Sequence, residues 1–153
     1  MVFAGFVLEN RPTKEMFLVL KKQVGEMVKI DYPIGDFLIR VKNTARSEKR
    51  ELSVAKTKLV KAVAQVLVKE GYLDEVKEKK GNLSVKLAYW RKAPVLIDLK
   101  LVSKPGLRIY MGVDELAKIK SPSIFVLSTP KGVMSLREAL KKRLGGEVIV
   151  EIW

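Results

Sequence analysis

The chain has 153 residues, 48% of them hydrophobic, enough for a packed core, and it carries 30 Lys and Arg against 17 Asp and Glu, a formal charge of +13. It contains neither Cys nor His, which excludes disulfides, thiolate nucleophiles, Cys-based zinc sites and the usual general base. The charge is spread out, with 20 basic and 11 acidic side chains over residues 1–93 and 10 and 6 over residues 94–153. A folded body that meets a polyanion is therefore expected, rather than a flexible basic arm.

Residues 1–29 differ in character from the rest of the chain and form an N-terminal extension. Their apolar run, Val2 to Leu8, is too short to span a bilayer, and no basic segment precedes it. The expectation is a soluble intracellular protein. Thr13 is placed to cap a helix with Met16, Leu20, Val24 and Met27 along one side.

The pattern sharpens at Pro33, which suits the first turn of a helix. Ile34, Phe37, Leu38 and Val41 then recur as one apolar stripe, with Arg40, Lys42 and Asn43 off it. A charged segment leads to a short strand over 52–55. Thr57 is placed to cap a second helix with Leu59, Val63, Val66 and Leu67 as its stripe, and Gly71 ends it. Strands over 72–77 and 83–89 flank a turn at Lys79, Lys80, Gly81 and Asn82. Residues 90–94, Trp-Arg-Lys-Ala-Pro, break the pattern and mark a boundary between lobes.

Beyond that boundary the period becomes two. Val95, Ile97, Leu99 and Leu101 share one strand face, and Asp98 and Lys100 the other. Ser103-Lys104-Pro105-Gly106 forms a turn. Leu107, Ile109, Met111 and Val113 are expected to face the core, with Arg108 and Tyr110 facing away. Residues 124–127 read as a central strand, Ser135 caps a short basic helix through Arg143, and Gly145-Gly146 turns the chain. Val148, Val150 and Ile152 make a final core-facing strand. The expected class is α/β (α+β) in two lobes. The first, 30–93, runs α-β-α-β-β; the second, 94–153, is mostly β with a short helix.

Four segments together resemble a known family. Residues 33–43 (Pro-Ile-Gly-Asp-Phe-Leu-Ile-Arg-Val-Lys-Asn), 103–110 (Ser-Lys-Pro-Gly-Leu-Arg-Ile-Tyr), 128–134 (Ser-Thr-Pro-Lys-Gly-Val-Met) and 145–153 (Gly-Gly-Glu-Val-Ile-Val-Glu-Ile-Trp) look like motifs of small-subunit ribosomal protein eight, in order and spacing. The likeness covers about residues 30–153. It implies a structural constituent of the small ribosomal subunit that binds the central domain of its RNA and supports assembly, alongside neighbouring small-subunit proteins.

By position, the resemblance assigns RNA contacts to Ser128, Thr129, Gly132, Gly146 and Glu147 in the second lobe, and to Thr57 and Lys58 in the first. The residue chemistry agrees. Short hydroxyls bond phosphate, 2′-OH or base edges, and glycine permits close approach. Tyr110 beside Arg108 offers a stacking plate next to a charge, with Lys104 on the adjoining turn. Glu147 is available to accept from an exocyclic amine or to anchor the Ser-Thr loop.

Blander readings stand beside these. Ser128-Thr129-Pro130 also reads as a turn that ends an edge strand, Tyr110 as a rim packing residue, and Lys141-Lys142-Arg143 as a solvated helix end. Glu147 and Glu151 share a strand face about 13 Å apart, too far for a retaining carboxylate pair. Two features depart from the family. Pro130 replaces a small polar residue and removes an N–H, and about thirty residues precede the Pro33 helix. This extension is either an added contact with RNA or protein, or an organelle presequence, against which Glu9, Glu15 and Glu26 argue, or a segment before a natural start at Met27. The rival function is an RNA-modifying or RNA-cleaving enzyme on the same basic surface, but the sequence has no His, Cys or Gly-rich phosphate loop to run it. No cofactor, metal, membrane or small-molecule substrate is expected.

Overall fold

The computed structural model describes residues 32–153; the helix cap at Thr13 and the other readings of the extension lie outside the described residues. Pro33 opens α1 (Pro33–Arg46), where its missing N–H is one that the first turn leaves unpaired anyway. The expected stripe is buried, and Ala45 extends it by a turn. After β1 (Glu51–Ala55) the Thr57 hydroxyl accepts from the Val60 N–H at 3.1 Å and starts α2 (Lys58–Lys69).

In α2 the buried stripe is Val60, Val63, Ala64 and Leu67, with Val66 beside it. Leu59, expected in the stripe, is 39% exposed, because one residue of helix rotates it by about 100° from Val60. Gly71 ends the helix with φ +87°. Next come β2 (Leu73–Lys79) and β3 (Asn82–Leu87), which form the antiparallel sheet β1-β3-β2. Their turn is tighter than expected. Lys80 and Gly81 alone make it, at φ +46° and +81°, the left-handed pair a two-residue hairpin needs.

The segment 90–94 is itself part of a small hairpin, β4 (Tyr89–Trp90) and β5 (Ala93–Pro94), turned by Arg91 and Lys92. Its pairing continues as the Val95 N–H donates to the Ala88 carbonyl at 3.0 Å. Leu96 is therefore buried, whereas Val95 and Ile97 point out, 38% and 73% exposed. Val95 and Ile97 thus leave the expected face, because the hairpin sets the alternation there, while Leu99 keeps it, 4% exposed, once β6 (Leu99–Leu101) begins. Leu107 is likewise 60% exposed. It exchanges both backbone bonds with Lys104 around the Pro105–Gly106 corner, which stands clear of the sheet.

The remaining elements are β7 (Tyr110–Met111), α3 (Val113–Ala117), β8 (Ile124–Thr129), β9 (Gly132–Ser135), α4 (Leu136–Lys141) and β10 (Gly146–Ile152). Val113, expected on a strand, opens the short helix α3, with Asp114 and Glu115 at its positive end. The second sheet runs β6-β10-β8-β9, with β7 also on β10. As expected, β8 is interior and Ser135 caps α4 by accepting from the Glu138 N–H. A bulge lies between Val148 and Val150. It turns Val148 toward Leu116 and Leu127, while Val150 and Ile152 join the main core.

That main core runs from α1 and α2 through both sheets, and Tyr32–Trp153 is one compact unit of mixed α/β architecture. A polar clamp reinforces the join. Asp98 accepts from Lys42 at 2.9 Å and from the Leu99 N–H at 2.9 Å, with Arg46 at 3.5 Å. The Lys42 hydrogen bond, above all, holds the Asp98 carboxyl below the usual carboxylate range.

Candidate nucleic-acid interface

β10 organises the site. Its Glu147 lies opposite Tyr110 on β7 and Ser128 on β8, and Ser128 lies opposite Val133 on β9. Side chains in register share a face, so Tyr110, Glu147 and Ser128 stand in one row across three strands. Tyr110 is 68% exposed. With Met111, Pro130 and Gly146 the row lines an open depression. Arg108 pairs with Glu147 at 3.3 Å, and its guanidinium lies over the Tyr32 ring, 4.7 Å from the centroid.

α2 covers the same sheet face further along. Ala62, Gln65 and Val66 line a groove with Val133, and Lys69 pairs with Glu138 of α4. The helix thus runs back along β9, and its first turn, with Thr57 and Lys58, lies toward the end carrying the Pro130–Lys131 turn. Lys58 is exposed there; the Thr57 hydroxyl is engaged as the cap. Lys104 is exposed on its own turn, four residues from Arg108 along the chain.

Thr129 and the glycines have structural work in the strands and turn that build this row. Strand alternation sends Thr129 to the face opposite Ser128, where it is 8% exposed. Its hydroxyl donates to the Gly132 carbonyl at 2.7 Å and accepts from the Lys131 N–H at 3.3 Å, closing the turn. Gly132 supplies the φ of +120° that this turn requires. A Cβ on Gly146 would lie 2.2 Å from the Ser128 carbonyl oxygen, so its bareness serves strand packing. The expected loop at 128–134 is a β-hairpin, and the blander reading, a turn between strands, describes its backbone.

The bulge also separates the two carboxylates that were expected on one face. Glu147 pairs with Ser128 and Glu151 with Phe125, three residues apart on β8, so the two point to opposite sides. Lys141, Lys142 and Arg143 form an exposed helix end.

Two residues of the site carry no clear mark in the sequence. Ser103, expected only in a turn, is fully buried; its hydroxyl donates to the Val148 carbonyl at 2.6 Å and accepts from the Ile109 N–H at 3.0 Å. Tyr32 reaches it, donating its hydroxyl proton to the Ser103 carbonyl at 3.0 Å. Burial raises the Tyr32 phenol above its ordinary pKa, with the nearby Arg108 charge opposing. The one local signal is Gly35, a glycine in a first helical turn, where a Cβ would meet the Tyr32 ring at 2.4 Å.

Comparison with known proteins places this architecture. The family described as ribosomal protein S8 matches residues 32–153. The chain is 38% identical over 122 residues to small ribosomal subunit protein uS8 of Nitratidesulfovibrio vulgaris (strain DP4), covering 79% of this chain and 97% of that one. It is 39% identical over 132 residues to the uS8 protein of Persephonella marina, with the same shares covered. For Burkholderia mallei (strain SAVP1) the identity is 42% over 122 residues, covering 76% and 93% of the two chains. The likeness begins where the Pro33 helix begins and runs to the last residue, and the chain belongs to the ribosomal protein S8 family.

Proposed function

We propose that the protein is a structural constituent of the small ribosomal subunit that binds the central domain of small-subunit ribosomal RNA and supports subunit assembly. The observation that carries this reading is the row Tyr110–Glu147–Ser128, edged by Arg108, on a chain of charge +13. Its chemistry suits irregular RNA. Tyr110 offers an exposed face for an unpaired base, Ser128 a short hydroxyl for a 2′-OH or phosphate, and Arg108 a planar set of donors. Lys58 and Lys104 supply attraction to the backbone around them. Thr129, Gly132 and Gly146 shape the row from within. Neighbouring small-subunit proteins are the second class of partner. The exposed apolar side chains Trp90, Val95 and Ile97, outside the row, support that part of the reading.

Affinity for a central-domain RNA fragment tests the proposal. With about four to six phosphates neutralised, log K against log salt should slope between roughly −3 and −5. The protein should also co-sediment with small subunits through a moderate-salt wash. A flat salt response, or loss of the protein into the supernatant, would remove the reading.

A further inference from the structure

Tyr32 stands at the N-cap position of α1, with its carbonyl accepting the first helical bond from the Asp36 N–H at 3.0 Å. Its side chain does no capping. Instead the ring lies on Gly35, at a distance that no Cβ would allow, so the helix carries a glycine, a poor helix former, where the ring needs room. The hydroxyl is tethered to the Ser103 carbonyl, 71 positions away. Ser103 in turn bonds the Ile109 N–H and the Val148 carbonyl, each next in sequence to Arg108 and Glu147. The Arg108 guanidinium then has the Tyr32 face beneath it and the Glu147 carboxylate at one edge.

Resting on the RNA-binding reading above, we infer that Tyr32 is a positioning residue for RNA recognition: its tethered ring holds Arg108 against Glu147, so that the remaining guanidinium donors face RNA as a fixed fork. Tyr32 itself does not touch the RNA. A guanidinium has five N–H donors, and the pair with Glu147 engages one edge only. The side chain of Arg108 remains 41% exposed, which leaves donors free for a phosphate or a guanine edge. Held on a ring, the fork loses less rotamer freedom on binding than a loose Arg.

The test measures Kd for a central-domain RNA fragment and a scrambled RNA of equal length, using the full chain and its Tyr32→Leu, Tyr32→Phe, Arg108→Ala and Tyr32→Leu/Arg108→Ala variants. Tyr32→Leu should weaken cognate binding roughly tenfold and leave scrambled RNA within about twofold, while Tyr32→Phe, which keeps the ring but loses its tether, weakens cognate binding by a smaller factor, about threefold. The double variant should bind no more weakly than Arg108→Ala alone. An additive loss, or an equal loss on both RNAs, overturns the positioning role while the RNA site stands. Arg108→Ala that binds cognate RNA like the parent overturns the site reading as well. A second readout needs no variant. Nitrogen-15 spectra of the parent protein should show separate, slowly exchanging Arg108 Nη–H resonances, and a single averaged signal overturns the clamp.

Discussion

Glu147 carries the wrong sign for a surface that meets phosphate, and this makes its removal diagnostic. If it anchors Arg108 or accepts from a base, Glu147→Ala should weaken cognate RNA binding by about 1–3 kcal/mol, the scale of a lost hydrogen bond with a partner left unsatisfied. Net charge alone predicts tighter binding, because the variant is more positive. Lys141→Ala with Lys142→Ala, on the exposed end of α4, should weaken cognate and scrambled RNA alike and flatten the salt slope by about one to two. Affinities for both RNAs at two salt concentrations decide the matter. Thr129 makes a different prediction, since its hydroxyl closes the turn. Thr129→Ala should lower stability by about 1 kcal/mol and cognate affinity with it, whereas Thr129→Ser restores both. An Ala variant of parental stability that still binds RNA poorly would mean that the hydroxyl reads RNA directly.

At the scale of elements, β10 matters most, for it joins β6, β7 and β8 and carries Glu147. Its first residue, Gly146, passes under the Ser128 carbonyl. Gly146→Ala must push β10 from β8 at the place where the row is assembled. We expect a loss of about 1–3 kcal/mol in urea unfolding, the range for overfilling a packed site, together with weaker cognate binding. Parental stability in that variant would show that the strands give way freely there and that the row is not built on their close approach. The helices show what element-level periodicity does well. Ile34, Phe37, Leu38 and Val41 are placed by a 3.6-residue repeat that needs no partner to be recognised. The two-residue strands β4 and β7 have no such repeat, and the face of Val95 and Ile97 depends on the pairing of Val95 with Ala88.

For the whole molecule, the clamp of Lys42 and Arg46 on Asp98 ties α1 to the second sheet and gives folding a dependence on acid. Because the folded Asp98 carboxyl titrates below its unfolded value, its share of stability is complete above the ordinary carboxylate pKa of about 3.9. That share is lost as pH falls through the lowered folded value. Asp98→Asn should therefore have a lower Tm than the parent at neutral pH, and the two Tm curves should converge below about pH 4. Curves that stay parallel into acid would show that Asp98 does not tie α1 to the second sheet energetically.

The amino-acid order alone determined the strongly basic charge, the mixed α/β class, the helices α1 and α2 with the Pro33 start and the Thr57 and Gly71 boundaries, and the family. Each rests on composition or on neighbours within a turn or two, which interact whatever the rest of the chain does. Tertiary structure decided the site. The bulge at Ile149 put Glu147 and Glu151 on opposite sides of β10; strand alternation buried Thr129 and left Ser128 in the row. Tyr32, Ser103, Arg108 and Glu147 came together from the N-cap of α1, the segment between β6 and β7, and β10. Strand register and hydrogen bonds across tens of residues are settled only when the sheet closes on its core, so no local pattern in the sequence could announce them.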